Sequence, residues 1–146
     1  MTGLSLSHLT LSHFRSHKRA VLDVDARPVA IYGPNGAGKT NLIEAVSLLS
    51  PGRGLRRASA QDMVRRPEAL GWKIKAHVTS FDRTHEIETW SDGGSARQVK
   101  IDGKPATQVM LGRIARVIWL IPSMDRLWTE GAEGRRRLKT RHAGCR

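Results

Sequence analysis

Between Gly33 and Thr40 the chain reads GPNGAGKT, and no other stretch constrains the fold as much. The octet matches the phosphate-loop pattern G-x-x-x-x-G-K-[ST] at every fixed position. Its glycines, Gly33, Gly36 and Gly38, let the backbone curl until successive N–H groups face a single anion. A helix starting at that point adds its partial positive charge. The expected nucleotide-binding set is therefore Gly33, Pro34, Asn35, Gly36, Ala37, Gly38, Lys39 and Thr40. Lys39 reaches the β- and γ-phosphates, and the Thr40 hydroxyl is a magnesium ligand, so ATP and Mg are the implied cofactors. The pattern needs a strand before it and a helix after it. PVAIY, Pro28 to Tyr32, supplies an apolar run expected to be a buried strand. After Lys39, the residues Leu42, Ile43, Val46 and Leu49 share one helical face, and Pro51-Gly52 stops the helix. Glu44, one turn beyond Thr40, is expected to be an exposed helix carboxylate rather than a second magnesium residue.

Elsewhere strand signals dominate. Leu4, Leu6, Leu9 and Leu11 alternate with polar residues, with one slip at Ser7-His8. AVLDVDA, Ala20 to Ala26, forms a second strand paired to the first through the turn RSHKR. WKIKAHVTS, THEIETW and ARQVKID predict a small antiparallel sheet, with Asp92-Gly93-Gly94 as a turn. Ser59 and Asp62 have capping-box spacing and predict a short helix. ATQVMLGRIA reads as helical, and RVIWLIP as one more buried strand. Trp72, Trp90, Trp119 and Trp128 lie in apolar patterns and are read as core, not as base-stacking platforms. His8, His13 and His17 have no cysteine near them and are read as surface residues rather than metal ligands. With no internal repeat or low-complexity linker, the chain predicts one mixed α/β unit.

The chain has 25 Lys and Arg against 13 Asp and Glu, a net charge of +12, which favours polyanionic partners. Half of that excess lies in the last twelve residues, RRRLKTRHAGCR, which hold six basic residues and no acid. A single cysteine, Cys145, excludes an internal disulfide and suits a reducing compartment. No apolar run approaches the roughly 20 residues of a membrane span, and the first residues do not resemble a signal peptide. A cytoplasmic location with no membrane partner is the expectation.

Three features carry a family resemblance: FRSH after the first strand, NGAGKTNLIEA at the loop, and GRGLRR after the loop helix. With IDGKPA and PSMDRLWTEGAEGRRR further on, the order resembles the RecF family, a relative of the Rad50 and SMC ATPases in the ABC-type group. The resemblance covers about residues 4 to 137. It implies a P-loop NTPase lobe of ABC type with a small antiparallel β subdomain, over residues 1–137, and leaves 138–146 as a basic tail. It also implies ATP-dependent homodimerisation, action on single-stranded or gapped DNA, RecO and RecR as partners, and roles in recombinational repair and the SOS response. By the same resemblance Arg15 and Ser16 of FRSH lie near the nucleotide, although a plain strand-to-strand turn accounts for them equally well. Arg53, Arg56, Arg57, Arg65 and Arg66 form a basic stretch whose side chains are candidate DNA contacts, with a solvated arginine-rich loop as the competing reading.

The sequence departs from that family after the paired arginines. No apolar strand ending in an acidic pair and no signature segment occurs, so this chain is expected to hold ATP but not to turn it over. A truncated or frame-shifted product, with residues 138–146 non-native, is the matching expectation. Two other functions fit parts of the pattern. A basic fragment could bind nucleic acid by charge alone, without ATP, or the loop could belong to another small P-loop enzyme.

Overall fold

The computed structural model describes residues 3–122; the expectations for Trp128, the paired arginines and the basic tail lie outside them. Two long hairpins and one short one build a single six-stranded antiparallel sheet. Strand β1 spans Ser5–Phe14 and β2 His17–Asp23; helix α1 spans Lys39–Ser47, followed by a 3-10 turn at Gln61–Met63. Then come β3 at Trp72–Ser80, β4 at Arg83–Ser91, β5 at Gln98–Ile101, β6 at Lys104–Ala106, and helix α2 at Gln108–Ile114. The spatial order is β2-β1-β3-β4-β5-β6.

Alternation decides which face each strand buries. Leu9 and Leu11 of β1, Ile74, Ala76 and Val78 of β3, Ile87 of β4 and Val99 of β5 all point inward and are buried. They meet Ala45 of α1, Leu48 and Leu49 just past its end, and Leu111 of α2. Phe14 and Trp72 close one end of this core edge-to-face, with ring centres 5.5 Å apart. Trp72 also donates its indole N–H to the Ala60 carbonyl at 2.8 Å, which satisfies its one polar atom. The irregularity at Ser7-His8 is a β-bulge: the β1–β3 register shifts between Leu6 and His8, which returns Leu9 and Leu11 to the inner face. The β3–β4 connection is a two-residue turn, Phe81-Asp82, with both φ positive (50° and 62°), the geometry that matches strand twist. Asp102-Gly103 makes the same kind of turn between β5 and β6.

Several expectations are corrected. Neither Pro28 to Tyr32 nor Arg116 to Pro122 is a strand. Tyr32 is 92 % exposed and Leu120 76 % exposed. Both runs have the composition of interior strands, but no neighbouring strand among the described residues offers them a hydrogen-bond ladder. The sheet that does form is wholly antiparallel, because each of its strands follows its partner through a short turn or loop, or in the case of β1 and β3 pairs across the intervening α1 segment. Trp90 is not core. It lies on the outer face, half-buried, with the ammonium groups of Lys73 and Lys100 at 5.9 and 5.4 Å from its ring centre. The parity of β4 requires this, since Ile87, Thr89 and Ser91 take the inner face.

Candidate phosphate-binding site

The loop Gly33–Thr40 enters α1 through Gly38, which caps the helix in the left-handed region at φ 90°. The N–H groups of Asn41 and Leu42 both donate to the Gly38 carbonyl, at 3.1 and 3.2 Å, so helical hydrogen bonding begins there. The earlier amides of the helix have no partner within it. Gly36 is also left-handed, at φ 83°, which turns the chain back across the helix end. The Lys39 ammonium folds over the loop and donates to the carbonyls of Gly33 at 2.5 Å and Pro34 at 2.6 Å. An anion at the loop would exchange those neutral acceptors for charged ones, which bind an ammonium more strongly. The residues present thus fit a phosphate chain: left-handed glycines leading into a helix N-terminus, and a lysine whose partners are displaceable. Thr40 is exposed on the first turn.

The β1–β2 turn packs directly on this loop. Asn41 donates its Nδ2–H to Ser16 Oγ at 2.8 Å, and His17 Nε2 lies 3.1 Å from the Gly38 carbonyl, to which it donates. Contact is so close that a Cβ built at Gly38 would lie 2.6 Å from His17 Nε2. Ser16 therefore borders the loop, and Arg15 stands one residue away in the left-handed region, at φ 54°.

Arg15 turns inward. Its Nε and one terminal nitrogen donate to the two oxygens of Glu44 at 2.9 and 2.8 Å, and its other terminal nitrogen donates to the Asp62 carbonyl at 2.6 Å. Glu44 is the main correction at the site: it is fully buried, not an exposed carboxylate. A second guanidinium reaches it, since Arg56 donates to Glu44 Oε2 at 2.9 Å and to Asn41 Oδ1 at 2.8 Å. A buried carboxylate is tolerable only when its lone pairs are occupied, and here two arginines occupy them. Ser59 and Asp62 do pair, the Ser59 amide and hydroxyl donating to Asp62 Oδ2 at 3.2 and 2.7 Å, and the short helix they precede is the 3-10 turn Gln61–Met63, whose N-cap is Ala60. The Ser59 hydroxyl and amide, aided by the charges of Arg15 and Arg66, hold the Asp62 carboxyl below its ordinary range.

The arginines of the basic stretch therefore separate into groups. Arg56 is tied to Glu44 and Asn41, and Arg65 pairs with Glu68 while its Nε reaches the Ser16 carbonyl at 3.4 Å. Arg53, Arg57 and Arg66 are exposed. Between the β1–β2 turn, the first turn of α1 and this stretch runs an open groove of about 640 Å3, bordered by Arg15, Ser16, Asn41, Arg56 and Arg66.

Sequence reasoning also missed Arg97. From the β4–β5 connection it donates to the Leu48 carbonyl, to the Gly52 carbonyl at 2.7 Å, to Thr89 Oγ1 at 2.8 Å and to Gln108 Oε1 at 3.4 Å. Burial lowers its guanidinium to about 10, so it stays charged at neutral pH, at the negative end of α1. A lone arginine in a turn carries no sequence signal of that role.

Comparison with known proteins places this arrangement. The model of the RecF/RecN/SMC N terminal domain family matches residues 5–116. A DNA replication and repair protein RecF from Rhizobium rhizogenes is 49 % identical over 140 residues, 93 % of this chain and 37 % of the relative. A solved structure of the recombination mediator RecF with ATP superposes with a TM-score of 0.73 at 27 % identity, over 92 % of this chain and 37 % of that one. A structure from work on ATP-driven dimerisation of SMC ATPases, 18 % identical, superposes at 0.74 over 92 % of this chain and 97 % of that one, a likeness of fold alone. The fold is that of the N-terminal lobe of RecF and SMC ATPase heads, and the chain spans 37 % of the length of the RecF relative from Rhizobium rhizogenes.

Proposed function

The chain belongs to the RecF/RecN/SMC N terminal domain family, and from that premise we propose that it is an ATP-binding DNA replication and repair protein of RecF type. ATP sits at Gly33–Thr40 in this reading, with Lys39 on the β- and γ-phosphates and Thr40 holding Mg. Bound Mg-ATP supplies a cluster of negative charge. The chain's own residues orient it through the loop amides, the lysine and the helix N-terminus. Single-stranded or gapped DNA is the partner, met by Arg53, Arg57 and Arg66, with ATP-dependent pairing of two copies bringing two such surfaces together. RecO and RecR, recombinational repair and the SOS response follow as the wider setting, in the cytoplasm.

One observation carries the proposal: the Lys39 ammonium held over a loop of left-handed glycines at the start of α1. The test is DNA binding with and without Mg-ATP, for the wild type and Lys39→Ala. ATP should alter the wild-type affinity and leave the variant's unchanged. Binding that ignores ATP in both would favour attraction by charge alone, which falls steeply with salt.

A further inference from the structure

One row of side chains on the outer face of the sheet differs from the rest. Strand register sets Arg19 of β2 beside Ser12 of β1, Ser12 beside Lys73 of β3, Lys73 beside Trp90 of β4, and Trp90 beside Gln98 of β5. All five lie on the face opposite Leu11, Ile74 and Val99, so they form a track across strands about 4.8 Å apart. The track holds two cations and an indole, and no acid. Two rows further along the same strands the face changes character: His8 and His77 stand between Asp23 and Glu86. A polyanion is therefore favoured at the Trp90 end of this face.

Trp90 differs from the core indole. Trp72 donates its N–H to the Ala60 carbonyl, whereas the N–H of Trp90 has no partner among the described residues. The Trp90 ring is half-buried, with the Lys73 and Lys100 ammonium groups at 5.9 and 5.4 Å from its centre. Glu88 neutralises Lys73, but Lys100 has no carboxylate partner among the described residues. Beside the ring, where β6 ends at Ala106 and leaves Gln98 unpaired on that side, lies an open cavity of about 370 Å3. Trp90, Lys100, Pro105 and Arg97 line it with the amides of Gln98 and Gln108, and no acidic residue among those described borders it.

We infer that this face is a second DNA surface, on which a single strand lays a base against Trp90 at the cavity and its phosphates against Lys100 and Lys73. Every base has a flat face for the indole, and the two amides suit base edges that a duplex would keep paired. The site is remote in sequence from the phosphate loop and does not depend on ATP; only the choice of DNA over RNA rests on the proposed function. Trp90 thereby takes the stacking role that a core position would have denied it.

Affinity for oligothymidylate, measured without ATP across a salt series, decides it in the wild type, Trp90→Leu, Trp90→Phe and Lys100→Gln. Thermal unfolding establishes that each variant is folded. Trp90→Leu should weaken binding about fivefold to a hundredfold, the range for one lost base stack, and Trp90→Phe should recover part of it. Lys100→Gln should lower the salt slope by about 0.7, and as a surface change it serves even where Trp90→Leu does not fold. An abasic strand should bind the wild type at least as weakly as thymidylate binds Trp90→Leu. Lys39→Ala should bind thymidylate like the wild type, so failure of ATP binding at the loop leaves this test intact. Wild-type affinity in folded Trp90→Leu overturns the inference, as does an unchanged salt slope in Lys100→Gln. So does an abasic strand or a duplex that binds as tightly as thymidylate. Trp90-dependent binding of oligouridylate but not of oligothymidylate would overturn DNA as the occupant.

Discussion

A methyl group at position 38 would lie 2.6 Å from His17 Nε2 and 2.9 Å from Ser16 Oγ, on a backbone already at φ 90°. Two separable penalties follow, one from the contact and one from the left-handed conformation, the latter about 1–3 kcal/mol. Gly38→Ala should therefore lose that much stability or more in urea titrations and lose nucleotide binding. Adding His17→Ala should recover the His17 share of the contact and leave the Ser16 contact and the conformational part. This glycine was legible in the sequence because the phosphate-loop spacing fixes it. Glu44 was not. Its position on α1 carries no mark of burial, which arises only when Arg15 and Arg56 converge on it through the tertiary fold. Trp90 stands between these cases. Its place in an apolar pattern suggested core, yet the parity of Ile87 and Thr89 already assigned it to the opposite face.

At the level of elements, α1 has nine residues and would be marginal on its own. Packing on the sheet stabilises it, and Arg97 ties its C-cap to the turn that follows through the Leu48 and Gly52 carbonyls. Replacing Arg97 by Met leaves those acceptors unpaired, at about 1–3 kcal/mol for each that water cannot reach. Arg97→Lys should retain part of the loss in chemical denaturation, because an ammonium keeps the charge but not the fork. The β5–β6 turn gives a pH prediction. Asp102 accepts from His85 Nδ1 at 2.8 Å and from the Glu86 amide at 2.9 Å, and these bonds, the histidine first, hold its carboxyl below 3.8. The unfolded chain then binds the proton more readily than the folded one. This contribution is complete above the unfolded value and is lost as pH falls through the lower folded one. Urea midpoints measured downward from neutral pH should decline in that acid window, and Asp102→Asn should flatten part of the decline. Strands β1, β3 and β4 were legible from alternation, including the bulge at Ser7-His8. The apolar runs at 28–32 and 116–122 were misread because composition signals an interior strand without supplying its neighbour.

Across the described residues, an antiparallel sheet carries a short helix on its inner face, and the N-terminal end of that helix meets the β1–β2 turn at the phosphate loop. The net charge of +12 and the exposed Arg53, Arg57 and Arg66 give this assembly an electrostatic bias toward polyanions. Charge alone does not separate an ATP-responsive protein from a merely basic one; the loop does. Under the proposed function, Lys39 and the loop amides bind the phosphates of ATP. Equilibrium titration of the wild type and Lys39→Ala with a fluorescent ATP analogue in the presence of Mg, with unlabelled ATP as competitor, measures that binding. Saturable, competed binding in the wild type that Lys39→Ala abolishes is the predicted result. Equal binding by both proteins, or none by a folded wild type, would contradict it.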